Sequence, residues 1–250
     1  MIRTTGRLAW LEIKLLLREP LTVVFALLLP LIMLIVLSSV FGNKPSAPGD
    51  RVVYRGQGPT DYYVPAYVAF VVASVCIISV PAYLAGYRER GVLRRYRASG
   101  VPAPVIVGAE VLVALALSAV SAVLVVAVAV VAYRPKGPGS VPGVIGAFLY
   151  LGVGFAALGL LLGAVFPTAR SAQAAGTLIW FIMLFLGGAG PPPEVLSGPM
   201  HAVLLSTPMW YAVQIMQHAW LGLNPGVSWW VFTGVVVVCG AVSLRAFRWE

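Results

Sequence analysis

The sequence predicts an all-α integral membrane protein with six transmembrane helices. Of its 250 residues 60% are hydrophobic and only 10% charged, against roughly 25% charged in an average soluble domain. The charges are also segregated: Tyr62 to Tyr87, Val111 to Tyr133 and Ser171 to Pro193 carry none, and each run suffices for the roughly 20 residues that cross a hydrocarbon core. Between such runs lie short stretches rich in proline, glycine and arginine, the composition of aqueous turns.

Residues 3–19 come first. At about 100° per residue Arg3, Arg7, Lys14 and Arg18 form one narrow stripe, with Ala9, Trp10, Ile13, Leu16 and Leu17 on the adjoining side. That pattern describes a helix lying in the membrane interface. Charges interrupt the first apolar stretch and no A-x-A-like site follows promptly, so the N-terminus does not read as a cleaved signal. Pro20 bends the chain into a first span, 21–42, with Pro30 inside it. Residues 43–61 form an aqueous loop, followed by a second span over 62–86, a basic segment over 87–101, and a third span over 103–133. A polar loop, 134–140, leads to a glycine-studded fourth span, 141–166, whose glycines suit close helix contact. "PTARS" (167–171) turns the chain into a fifth span, 172–187. Residues 188–226 are too apolar for an ordinary loop and too rich in proline for one straight span, so they read as a re-entrant or interfacial pair of short helices. The sixth span is 227–246, and residues 1–250 form one membrane domain.

Orientation follows from the basic residues. With the N-terminus cytoplasmic, Arg3, Arg7, Lys14, Arg18, Arg88, Arg90, Arg94, Arg95, Arg97, Arg170, Arg245 and Arg248 lie inside; Lys44, Arg51, Arg55, Arg134 and Lys136 lie outside. Twelve against five puts both termini inside, the parity of six spans. The formal charge of +9 is then a cytoplasmic surface facing anionic lipid, not a nucleic-acid footprint. Cys76 and Cys239 sit inside apolar runs without a second thiol or a histidine at ligand spacing, and read as packing residues.

Within "YRERGVLRRYR" (87–97) Val92, Leu93 and Tyr96 share one arc and five arginines take the rest, a short amphipathic helix. Glu89 projects into the apolar arc, where a carboxylate is either paired with an arginine or directed at something other than lipid. Gly100, Pro102 and Pro104 close the helix. A topology signal alone accounts for the arginines but not for Glu89.

The stretch "YRERGVLRRYRASGVPAPVIVGAEVL" (87–112) resembles the signature between the second and third spans of type-2 ATP-binding-cassette (ABC) permeases of the drug- and polysaccharide-export kind: an acidic-basic pair, a glycine, a short apolar-basic helix, then a proline. The resemblance identifies 87–101 as a coupling helix that docks on an ATPase subunit, through Glu89, Arg90, Gly91, Leu93 and Pro102, joined by Arg94, Tyr96 and Arg97. It makes residues 3–19 the family's elbow helix, with Arg7, Trp10, Lys14 and Arg18. Segment 185–222 is similar to the family's outer segment, where a proline followed by an aromatic recurs, here Pro208 and Tyr211. Where this chain has Glu110 the family often has lysine, and where it has Val92, threonine. The resemblance implies two cytosolic ATPase subunits, a second permease chain, and ATP and Mg held by the partner. No G-x-x-x-x-G-K-[ST] occurs in this chain, so it has no cradle for ATP of its own.

Other residues leave two readings open. Glu110, two turns into the third span, is a pathway acid or a partner of Arg94 or Arg97. His201 and His218 are packing residues or proton or metal groups; Glu194 is a helix-start residue or a proton carrier. Trp210, Trp220, Trp229 and Trp230 form an outer aromatic belt, with Trp210 and Tyr211 also candidates for an exit gate. No nucleophile with its base is present. The sequence thus reads as the permease of an ATP-driven exporter of a hydrophobic or amphipathic cargo (drug, lipid or lipid-linked glycan). The alternatives are an ATP-independent transporter or channel, and a membrane scaffold.

Overall fold

The structure is a computed structural model that describes residues 20–41, 58–188, 190, 198–224 and 226–246. The expected interfacial helix with Arg7, Trp10, Lys14 and Arg18 lies outside the described residues, as does Glu194. Among the described residues the chain is all helical: α1 (Pro20–Phe41), α2 (Pro59–Glu89), α3 (Val92–Ala98), α4 (Ala103–Tyr133), α5 (Val141–Val165), α6 (Ala169–Leu186), α7 (Gly198–Ser206), α8 (Pro208–Leu221) and α9 (Val227–Ala246). Helices α2, α4, α5 and α6 are long and apolar enough to cross a membrane; α1 and α9 contain shorter apolar stretches, Leu28–Val40 and Val227–Ser243.

Local chemistry sets the ends. Pro59 opens α2 and Asp61 sits in its first turn, where a fixed φ and a negative charge suit a helix start. The Ser140 side chain accepts from Gly143 N at the start of α5, and Thr168 and Ser171 form a reciprocal capping box at the start of α6. Segment 188–226 contains the expected pair of short helices. Thr207 joins them, its hydroxyl directed at the Leu204 and Leu186 carbonyls at 2.7 and 3.2 Å. Gly222, at φ 70°, ends α8.

Helix α2 is buried almost throughout and is the axis of the molecule. Helices α1, α4, α5, α6 and α8 pack against it, and α9 packs outside them on α5 and α8. Glycine permits two of these approaches. A Cβ on Gly159 of α5 would stand 2.2 Å from Cys76 O, and one on Gly176 of α6 2.2 Å from Ile77 O. Along α2 the rings of Tyr62, Tyr63, Tyr67 and Phe70 continue into Trp180 of α6. The Trp180 indole N–H donates to Ser74 Oγ at 2.5 Å, and the Ser74 hydroxyl donates to Phe70 O at 2.7 Å. Cys76 and Cys239 are buried free thiols, as expected of packing residues.

The long helices alternate in direction. One end of the bundle carries the arginine segment, where α2 finishes, α4 begins, α5 finishes and α6 begins. The other carries the 134–140 loop and α8. There Lys136 N donates to Asp61 Oδ1 at 2.8 Å, Gly139 N to Trp220 O at 2.7 Å and Gln217 Nε2 to Tyr62 O at 3.2 Å.

The expected tryptophan belt is corrected. Trp210 and Trp220 are buried within the protein, and Trp229 stacks on Tyr150 with centroids 4.0 Å apart, leaving Trp230 exposed. Neighbouring groups fix these rings. Trp220 Nε1 donates to Lys136 O at 3.2 Å, and the Tyr150 hydroxyl that holds the Trp229 stack contacts Trp229 O at 3.1 Å and Thr233 Oγ1 at 2.6 Å.

Candidate functional site

The expected coupling helix, 87–101, comes in two pieces. Residues 87–89 are the last turn of α2, and α3 begins at Val92. The cause is Gly91, at φ 67°, a left-handed conformation that costs an L-residue about 1–2 kcal/mol. Gly91 N donates to Arg88 O and Arg95 N to Gly91 O, so the break is a hydrogen-bonded turn. Gly100, at φ 70°, ends α3, with Val101 N donating to Tyr96 O at 3.0 Å in the Schellman manner.

Splitting the helix reassigns its side chains. Leu93 is 1% exposed and packs with Leu84 and Ile106, joined by Tyr87, Tyr96 and Val101. It is a peg that holds α3 on the bundle and is no part of an outward docking face. Arg94 and Arg95 are exposed, Pro102 is the exposed N-cap residue of α4, and the Arg97 side chain is outside the described ones. The outward face is therefore cationic.

Glu89 does not occupy the apolar arc of α3. It stands exposed at the end of α2, where Ala169 N, at the start of α6, donates to Glu89 Oε2 at 3.0 Å. A carboxylate at a helix N-terminus meets unpaired N–H groups and the positive end of the helix dipole. One residue earlier, Arg88 Nη1 donates to Ala164 O at 3.0 Å and Nη2 to Phe166 O, the open carbonyls at the end of α5. Arg90 folds back, its Nε donating to Gly86 O at 3.2 Å. Arg88 and Glu89 together clasp the turn between α5 and α6 to the root of α3.

Beside the clasp opens a pocket of about 340 Å³ lined by Ser79, Tyr83, Gly86, Glu89, Arg90 and Gln173, among others. The Ser79 hydroxyl is buried and has no hydrogen-bond partner among the described residues. The pocket lies between α2 and α6 and leads from the charged rim toward apolar Ile78 and Ala82.

A family model described as ABC-2 type transporter matches residues 4–221. The chain belongs to this family. No curated protein matches the chain. The resemblance drawn from 87–112 is to this same family, and the match runs from residue 4 to the end of α8. The chain is thus a multi-pass ABC transporter permease, the membrane component and not the ATPase, of a family that works with ABC ATPase subunits.

The remaining residues that the sequence singled out fall elsewhere. Glu110 is 3% exposed, in the second turn of α4. Pro208 opens α8, Trp210 lies against Gly188, and the half-buried Tyr211 spends its hydroxyl on Leu205 O at 2.8 Å. Tyr211 thereby ties α8 to the end of α7, while Trp210 packs α8 against the end of α6. His201 is exposed and His218 half-buried, and the described residues hold no group of three or more His, Cys, Asp or Glu arranged for a metal ion. Two participants escaped the sequence reading, Arg88 as an α5 cap and the Thr168–Ser171 capping box beside Glu89. The T-x-x-S spacing in "PTARS" is the signal that marks a helix start there.

Proposed function

We propose that this permease is the six-span membrane half of an ATP-driven exporter of a hydrophobic or amphipathic cargo, with both termini in the cytoplasm. It pairs with a second permease chain and with two cytosolic ATPase subunits, which bind and hydrolyse ATP. Helix α3 is the coupling helix, assisted by the elbow segment. The observation that carries the reading is the Arg88–Glu89 clasp: a push on α3 reaches the ends of α5 and α6 directly, instead of being absorbed in a loose loop. Because the outward face presents Arg94 and Arg95, the ATPase surface that receives it is acidic. The pocket at Ser79, Tyr83 and Gln173 suits the polar end of an amphipathic cargo, with its apolar part directed along α2.

Co-purification tests the assembly. The permease expressed with a candidate ABC ATPase subunit of the same cell is expected to hold that subunit through purification, and an Arg94→Glu, Arg95→Glu variant to release it while still inserting. A permease that transports alone on an ion gradient overturns the reading.

A further inference from the structure

A second cavity lies between α4 and α5, toward the 134–140 loop. It is an open cleft of about 620 Å³ whose lining includes Val68, Ala119, Val126, Ile145, Phe148 and Trp220, within the roughly 300–1,000 Å³ of small-molecule sites. Its walls are apolar, and the one indole N–H among them is spent on Lys136 O. Along α4 it runs from Ala127 to Ala119, about 12 Å at 1.5 Å per residue, and so fits within one leaflet's share of a roughly 30 Å hydrocarbon core.

The mouth differs in kind. Pro138 lines it, and the loop is held by Lys136 N on Asp61 Oδ1, Lys136 O on Trp220 Nε1 and Gly139 N on Trp220 O. On this fixed backbone the Arg134 and Lys136 side chains are exposed, and among the described residues neither makes an ion pair. Asp61, 8% exposed, is the acid beside them; its Oδ1 accepts the Lys136 backbone N–H, and it makes no ion pair with either side chain among the described residues. Arg134 is the left-handed C-cap of α4, at φ 50°, ψ 54°, its N–H donating to Ala129 O at 3.1 Å, which fixes the start of the loop. We propose that the cleft holds one anionic glycerophospholipid as a resident ligand, an acyl chain between α4 and α5 and its phosphate against Arg134 and Lys136. Charge complementarity at the mouth selects this occupant, since an apolar helix from a second copy would leave both cations unmet.

Native mass spectrometry tests the site without ATP or an ATPase, so its outcome is separate from that of the transport reading. The full chain is placed in nanodiscs of equal phosphatidylglycerol and phosphatidylcholine and then released into mild detergent. One phosphatidylglycerol is expected to remain on each chain, preferred by about fivefold for each cation that meets the phosphate. Arg134→Gly with Lys136→Ala keeps the turn but should abolish the preference, whereas Ala119→Trp with Ala127→Trp should remove the bound lipid altogether. The proposal is overturned by a wild-type chain that retains no lipid or shows no preference, by tryptophan variants that still carry it, or by tryptophan variants that instead turn dimers into monomers.

Discussion

At the residue scale, Glu89 carries the sharpest consequence. Its carboxylate stands at the N-terminus of α6, where loss of a capping group costs about 1 kcal/mol, too little to unfold a buried bundle. Glu89→Ala should therefore insert and bind its ATPase normally, yet lose most of the transport per ATP hydrolysed. Glu89→Gln keeps an acceptor and should retain part of the coupling. Gly91→Val acts on the same step by another route. No atom lies within 4 Å of a Cβ there, so its effect comes from backbone strain at φ 67°, which pulls α3 out of register. Transport and ATPase rates measured together decide this, and coupling ratios equal to wild type in Glu89→Ala and Gly91→Val would refute the clasp.

At the scale of elements, helix ends were legible where charge and proline mark them, and less so where a side-chain cap does: α4, expected over 103–133, is Ala103–Tyr133, whereas α6, expected to begin at 172, begins at Ala169 because its Thr168 cap went unread. Facing was less legible. Lipid and protein core are equally apolar, so a hydrophobic pattern does not say which side of a span is inside. The buried position of α2 shows instead in its polar content, since Tyr62, Tyr63, Tyr67, Ser74 and Ser79 crowd onto one span and such groups seek partners away from lipid. Glu89 was misread because a wheel drawn through Gly91 assumes one helix, and its partner lies 80 residues along the chain. The glycines of α5 were read as contact points, Gly176 of α6 was not, and the helix glycines separate into two kinds. Gly159→Ala and Gly176→Ala drive a Cβ into backbone carbonyls on α2, and each should destabilise by about 1–3 kcal/mol. Gly146→Ala and Gly234→Ala have open space within their helices and should be neutral or stabilising by up to about 1 kcal/mol. Thermal unfolding in one detergent compares the four; equal losses would mean that close approach is not what these helices require.

At the scale of the whole molecule, the alternation of the long helices puts the arginine segment at one end and the 134–140 loop at the other, so a single pair of sites reports orientation. Ser99 and Gly137 are both exposed, on opposite ends, while Cys76 and Cys239 are buried and give little background. In the proposed orientation Ser99 is cytoplasmic, because the twelve basic residues assigned to its side resist translocation more than the five opposite them. In intact cells a membrane-impermeant maleimide should therefore label Gly137→Cys and leave Ser99→Cys untouched until the membrane is opened. The reverse pattern would put the coupling helix outside, away from any ATP, and would remove the ATP-driven reading together with the orientation. The expected pattern places α3, with its cationic face, on the side where an ATPase can reach it, and places the cations at the mouth of the lipid cleft in the opposite leaflet's headgroups. One labelling experiment thus fixes the sidedness of both surfaces, and it requires neither cargo nor partner.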